Sequence, residues 1–192
     1  SHTVEKNIIE SNDKKTDFNN KFEKPDIEEI TNEQKQKLGI FADSHFGEEK
    51  FYSIENEKIK ITISNKGGRI ISVIMKGYQT YDSLALDLIH KDHSSFNLQF
   101  SADKFTNTSN LFFDVEQSQN SINLKLKADQ NHYVEYVYTL TNDFLVDFDI
   151  NLVGMEDLIP EGIDYLNLEW QIKTPHTEKS KKNQDMYTGI HY

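Results

Sequence analysis

From Phe51 onward, apolar and polar residues alternate one by one. Ile59, Ile61 and Ile63 are separated by Lys60 and Thr62, and Ile122, Leu124 and Leu126 by Asn123 and Lys125. Phe144, Val146, Phe148, Ile150 and Leu152 interleave with Leu145, Asp147, Asp149 and Asn151; Leu166, Leu168, Trp170 and Ile172 interleave with Asn167, Glu169 and Gln171. A period of two places one side of each segment in a dry environment and the other in water, the signature of antiparallel strands. Further strands fit Arg69–Met75, Phe96–Phe100, Leu111–Glu116 and His132–Leu140. Turn signals stand between them at Asn65-Lys66-Gly67-Gly68, Asn107-Thr108-Ser109-Asn110, Ser118-Gln119-Asn120 and Asn142-Asp143. Burying the five alternating side chains of Phe144–Leu152 stabilises by on the order of 10 kcal/mol. Fixing the backbone of that strand costs a similar amount. No strand of this kind persists alone, so the inward faces must meet another sheet. Eight or more short strands without intervening helices predict an all-β chain, an antiparallel β-sandwich. No internal repeat of fixed period is visible.

The first 36 residues are different. Their apolar residues, Val4, Ile8, Ile9, Phe18, Phe22, Ile27 and Ile30, are scattered without period among Lys, Asn, Asp and Glu. Such a stretch buries too little to offset its chain entropy, and residues 1–36 read as a flexible polar tether. Near its end Thr31-Asn32-Glu33-Gln34 has the form of a capping box, which predicts a short helix over Asn32–Leu38 stopped by Gly39. Ser1-His2 reads as the remnant of a cleaved tag, making the chain a piece of something larger.

Charge and composition exclude several classes. The 192 residues carry 32 acidic against 21 basic side chains, a formal net charge of −11, and Arg69 is the only arginine. Nucleic-acid binding needs clustered Lys and Arg, so no nucleic-acid partner is expected. The absence of cysteine removes disulfides, thiolate metal sites and a thiol nucleophile. No apolar run reaches the roughly 18–20 residues of a membrane-spanning helix, so no span is expected within this chain.

Residues with chemical potential are few. His90-Lys91-Asp92-His93 offers two imidazoles and a carboxylate, but a metal site needs convergence and a further ligand. It reads as a solvated loop. Asp147 and Asp149 share the wet side of one strand, about 7 Å apart. Hydrolytic carboxylate pairs usually flank a cleft from different elements, so these two read as a soluble sheet surface. His132, His176 and His191 are isolated, and no nucleophile elbow or phosphate loop occurs. Trp170 lies on the dry side of its strand and is expected to pack in the core, although aromatics in sandwich clefts also stack on sugars. Gly67 and Gly68, between two strands, are read as structural turn residues that need positive φ.

Leu38-Gly39-Ile40-Phe41-Ala42, Gly47-Glu48-Glu49 and Ile54-Glu55-Asn56-Glu57 lead into Ser64-Asn65-Lys66-Gly67-Gly68-Arg69-Ile70. Lys76-Gly77-Tyr78-Gln79-Thr80-Tyr81 follows, and later Glu178-Lys179 and Met186-Tyr187-Thr188-Gly189-Ile190. In order and spacing these segments resemble the large periplasmic domain of the YidC membrane-protein insertases, in the form found in Bacteroidetes. The resemblance covers roughly residues 37–192. It implies a β-supersandwich related to galactose mutarotases, held in the periplasm and tethered to the bacterial inner membrane in the parent protein. Residues 1–36 would follow the first membrane span, and 37–192 would be the N-terminal part of the sandwich. The implied role is that of an accessory domain in the insertion and folding of inner-membrane proteins, alone or with the Sec translocon. Nascent inner-membrane proteins and Sec components would be the partners. The resemblance carries no catalytic residue, cofactor or metal with it. The competing class is a carbohydrate-binding or mutarotase-like sandwich, which needs a general acid and base converging on an anomeric centre; the seven histidines have no recognisable partner spacing.

If the sandwich is incomplete, Phe144–Leu152 and Leu166–Ile172 are where it shows. A covering layer beyond Tyr192 would leave an exposed apolar patch on the order of several hundred Å² and a tendency to self-associate.

Overall fold

The structure is a computed structural model that describes residues 32–162, 166–173 and 175–187. The tether lies almost wholly outside the described residues, as do Thr31 and His191. The first element is the helix α1 (Asn32–Leu38), over the segment the sequence predicts. Gly39 ends it with φ +80°, its N–H donating to the Lys35 carbonyl at 2.9 Å.

Among the described residues eleven strands follow in three antiparallel sheets, an all-β sandwich. The first sheet runs β1 (Phe51–Glu55), β2 (Ile59–Ser64), β3 (Ile70–Gln79), β4 (Ala85–Asp87) in spatial order. β5 (Ser94–Ser101) and β6 (Phe105–Asn107) form the second with β11 (Asn167–Ile172), in the order β11-β5-β6. The third comprises β7 (Asp114–Gln117), β8 (Ser121–Lys127), β9 (Tyr133–Leu140) and β10 (Val146–Val153), in the order β10-β9-β8-β7. A second short helix, α2 (Lys181–Tyr187), closes the described chain.

The alternation read from the sequence becomes the core. Ile59, Ile61 and Ile63 of β2, Ile122, Leu124 and Leu126 of β8, and Val134, Tyr136, Tyr138 and Leu140 of β9 are all buried. Phe96, Leu98 and Phe100 of β5 face them. Turns are held by side chains as well as by backbone. Asn56 Oδ1 accepts from the Lys58 and Ile59 N–H groups, closing the β1–β2 connection, while its Nδ2 donates to the carbonyls of Thr141 and Asp143. One asparagine thus ties the β1–β2 turn to the β9–β10 turn. The expected strand over Leu111–Glu116 begins later, at Asp114, because residues 108–110 form a 3-10 turn and Lys66 bridges Phe112.

Gly67 and Gly68 lie between β2 and β3 with φ +75° and +62°. A Cβ on Gly67 would stand 2.7 Å from the Ser109 carbonyl oxygen, and one on Gly68 would stand 2.6 Å from the ring of the buried Tyr136. Positive φ and close approach therefore act together at both positions. Gly67→Val and Gly68→Val are each expected to lose about 1–3 kcal/mol from backbone strain alone. Denaturant unfolding checks this, and two variants with wild-type midpoints would remove the structural role.

Candidate functional site

β9 lies inside its sheet, and two of its tyrosines reach out of that sheet. The Tyr138 hydroxyl donates to the Gly68 carbonyl at 2.7 Å, and the Tyr136 hydroxyl donates to Thr108 Oγ1 at 3.1 Å. Thr108 Oγ1 also accepts from the Leu98 N–H at 2.9 Å. Burial pushes both phenols well above their ordinary range, so they act as neutral donors.

Beside these tyrosines the sandwich opens. β10 and β11 are each the last strand of a sheet. Phe148 of β10 stacks on Tyr138, with centroids 4.5 Å apart, and meets Phe96 edge-on at 5.6 Å. Trp170 of β11 pairs across the sheet with Phe96, their rings 6.1 Å apart. Between the two edges lies an apolar pocket of about 100 Å³ lined by Ile70, Phe96, Tyr138, Val146, Phe148 and Trp170. Nothing in the described chain covers its outer side. Trp170 is 51% exposed, Leu168 45% and Ile172 40%, and Val146, Phe148, Ile150 and Leu152 are only half-buried.

This corrects the expectation that Trp170 packs in the core. Its side chain lies on the side of the sheet that β5 buries, but β11 ends its sheet and no strand lies beyond it among the described residues. Phe144, expected to point inward, is likewise 43% exposed.

The matching family model describes the YidC periplasmic domain and covers residues 52–192. The chain belongs to that family. It is similar to the membrane protein insertase YidC of Azobacteroides pseudotrichonymphae, 35% identical over 158 residues, which is 80% of this chain and 26% of the relative. The insertase of Parabacteroides distasonis is 30% identical over 162 residues, covering 82% of this chain and 26% of the relative. That of Bacteroides fragilis is 28% identical over 156 residues, 80% of this chain and 25% of the relative. This chain therefore spans about a quarter of the length of the curated relatives it matches. No solved structure matches it.

On this YidC periplasmic-domain scaffold, the chemical candidates from the sequence stay apart. His90 precedes a 3-10 turn that His93 ends, with their rings 5.5 Å apart, and His90 Nδ1 is 4.0 Å from Asp92. Among the described residues no three His, Asp or Glu converge as metal ligands. Asp147 and Asp149 are exposed on the solvent side of β10. His132 has partners that its sequence spacing did not reveal: Asp129 at 2.7 Å and, across the surface, Asp157 at 3.8 Å. Asp129 is held below the usual carboxylate range by the Asn131 N–H and by His132. His176 is exposed on a strand-free segment.

Two larger grooves, of about 610 and 650 Å³, are open and polar. The first has its charges matched internally, with Lys127 on Asp114 and Lys125 between Glu116 and Glu135. A smaller polar hollow holds Arg69, which donates to the carbonyls of Lys91 and Ser94, and Lys91 paired with Glu49 at 3.0 Å. Burial disfavours ionised Glu49, but hydrogen bonds from Lys91 and Ser64 and the charges of Lys91 and Arg69 outweigh it, so its carboxyl lies below its ordinary value.

Two measurements follow from this geometry. Trp170 is the only tryptophan, and its emission is expected to be red-shifted and readily quenched by acrylamide; a blue, quencher-resistant emission would place it in a closed core. Because the folded pKa of Glu49 is depressed, its contribution to stability is present above the ordinary glutamate range and is lost as pH falls through the folded value. Wild type is therefore expected to exceed Glu49→Gln in stability at neutral pH and to converge with it in acid. Urea titrations at a series of pH values test this, and a pH-independent difference would contradict it.

Proposed function

We propose that this chain is a periplasmic accessory domain of a membrane-protein insertase, tethered to the inner membrane by its parent polypeptide. In that role it aids the insertion and folding of inner-membrane proteins, alone or beside the Sec translocon. The observation that carries the reading is the family match over residues 52–192, joined to relatives that are themselves named insertases. Residues 1–36 act as the polar tether and residues 37–192 as the N-terminal part of the sandwich. No helix among the described residues is long and apolar enough to cross a membrane. The role asks for surfaces rather than for a reaction centre, and the open apolar edge is such a surface.

The test uses the parent insertase in its own membrane. Photo-crosslinkers placed on β10 and β11 are expected to capture inner-membrane proteins during synthesis or Sec components. Protease added to spheroplasts is expected to cleave this domain from the periplasmic side. Protection from external protease, or crosslinks to cytoplasmic proteins alone, would overturn the reading. Glucose and galactose mutarotation should proceed no faster with this chain than in buffer, and turnover above buffer would favour the carbohydrate class instead.

A further inference from the structure

The edge of β10 joins three properties. It is the end of a four-stranded sheet, so one row of its backbone groups has no strand beside it in the described chain. Its inward side, Phe148 foremost, is apolar and half-buried, and it borders the pocket that Trp170 leaves open. Its outward side carries Asp147 and Asp149, which have no ion pair among the described residues although the same sheet pairs Lys125 and Lys127 with acids.

A strand laid against β10 would meet all three at once. It would extend the sheet by one strand beside the pocket that Val146, Phe148 and Trp170 line, and so reach Trp170. Its alternate side chains would fall beside Asp147 and Asp149 on the other side, where cross-strand partners of opposite charge are favoured and like charges are not. A second copy of this chain fails that condition. Antiparallel pairing of β10 with itself, centred on Phe148, sets Asp147 of one copy against Asp149 of the other. Periplasmic loops of inner-membrane proteins fit poorly too, because Lys and Arg are concentrated on the cytoplasmic side. A covalently connected strand has the further advantage of high effective concentration, and about three quarters of the length of the curated relatives lies outside the matched region.

We propose that the free edge of β10 is a docking site for one extended segment of the parent polypeptide from outside residues 1–192, apolar toward Phe148 and Trp170 and basic toward Asp147 and Asp149. The inference rests on the reading that residues 37–192 are part of a larger sandwich, and it adds the edge used and the chemistry of the strand that uses it.

The test has two arms, neither of which reads membrane insertion, so it fails or succeeds independently of the insertase role. In the first, residues 1–192 are titrated with two synthetic peptides, one alternating valine with lysine and one alternating valine with glutamate. The lysine peptide is expected to blue-shift Trp170 emission, slow amide exchange across Val146–Val153 and bind about tenfold more tightly than the glutamate peptide. In the variant carrying Asp147→Lys and Asp149→Lys that preference should reverse. In the second arm, exchange across Val146–Val153 is compared between residues 1–192 and the full parent polypeptide. The parent is expected to protect these amides and to leave the lysine peptide unbound. The proposal is overturned if neither peptide binds, if both bind equally, or if β10 exchanges as fast in the parent as in residues 1–192. Protection of β10 that grows with the concentration of residues 1–192 alone would overturn it as well, by making a second copy the occupant.

Discussion

β9 touches every layer of the molecule through two hydroxyl groups. Tyr138 reaches the Gly68 carbonyl, which belongs to the β2–β3 turn of the first sheet, and Tyr136 reaches Thr108, which follows β6 of the second. Thr108 in turn accepts the N–H of Leu98 on β5. Hydrophobic burial alone lets two sheets slide over each other at small cost, since it is non-directional. Buried hydroxyls do not allow that, because a displaced partner leaves a desolvated polar atom without a bond. The three sheets are therefore fixed in register by one strand. The glycines at 67 and 68 belong to the same arrangement: the Gly68 backbone must come close enough to accept from Tyr138 while its missing side chain leaves room for the Tyr136 ring.

The aromatic cluster built on that strand explains why the open edge is well formed. Phe96 contacts Tyr136, Phe148 and Trp170, each edge-on, and Phe148 also stacks on Tyr138. Edge-to-face and offset geometries add to simple area burial, so the half-exposed rings are held from one side by the buried rings of Phe96, Tyr136 and Tyr138. An apolar surface held rigidly loses little further freedom when something binds to it. The edge thus combines a backbone that no strand flanks among the described residues with side chains already placed.

Much of this was legible in the residues, and the reasons for the misses are physical. The alternation in β2, β8 and β9 marked strands whose inner sides are buried to the last residue, because interior strands obey the two-sided rule strictly. The alternation in β10 and β11 is just as regular, yet these strands are half-open, because period two reports which side a residue takes and not whether a neighbour covers it. Trp170 shows the difference most clearly. β4 and β6 span three residues each, too short for any period to register. The His132–Asp129–Asp157 cluster depends on a turn and a distant 3-10 segment meeting at the surface, which spacing along the chain does not encode. The Asn-Lys-Gly-Gly turn, by contrast, was visible from composition alone, since adjacent glycines between two strands have few other uses.

The charges complete the physical picture. Several lysines stand beside an acid on the same surface: Lys58 with Asp143, Lys76 with Glu55, Lys91 with Glu49, Lys127 with Asp114. Exposed pairs of this kind contribute about 0–1 kcal/mol each and fix little by themselves. Their effect is to offset charge along the first groove, where Lys125 and Lys127 meet Glu116, Glu135 and Asp114. Part of the acid excess behind the chain's −11 stands at Asp147 and Asp149, which have no ion pair among the described residues and lie on the edge strand β10 that carries Phe148. Backbone pairing, area and charge all favour association at the same few residues.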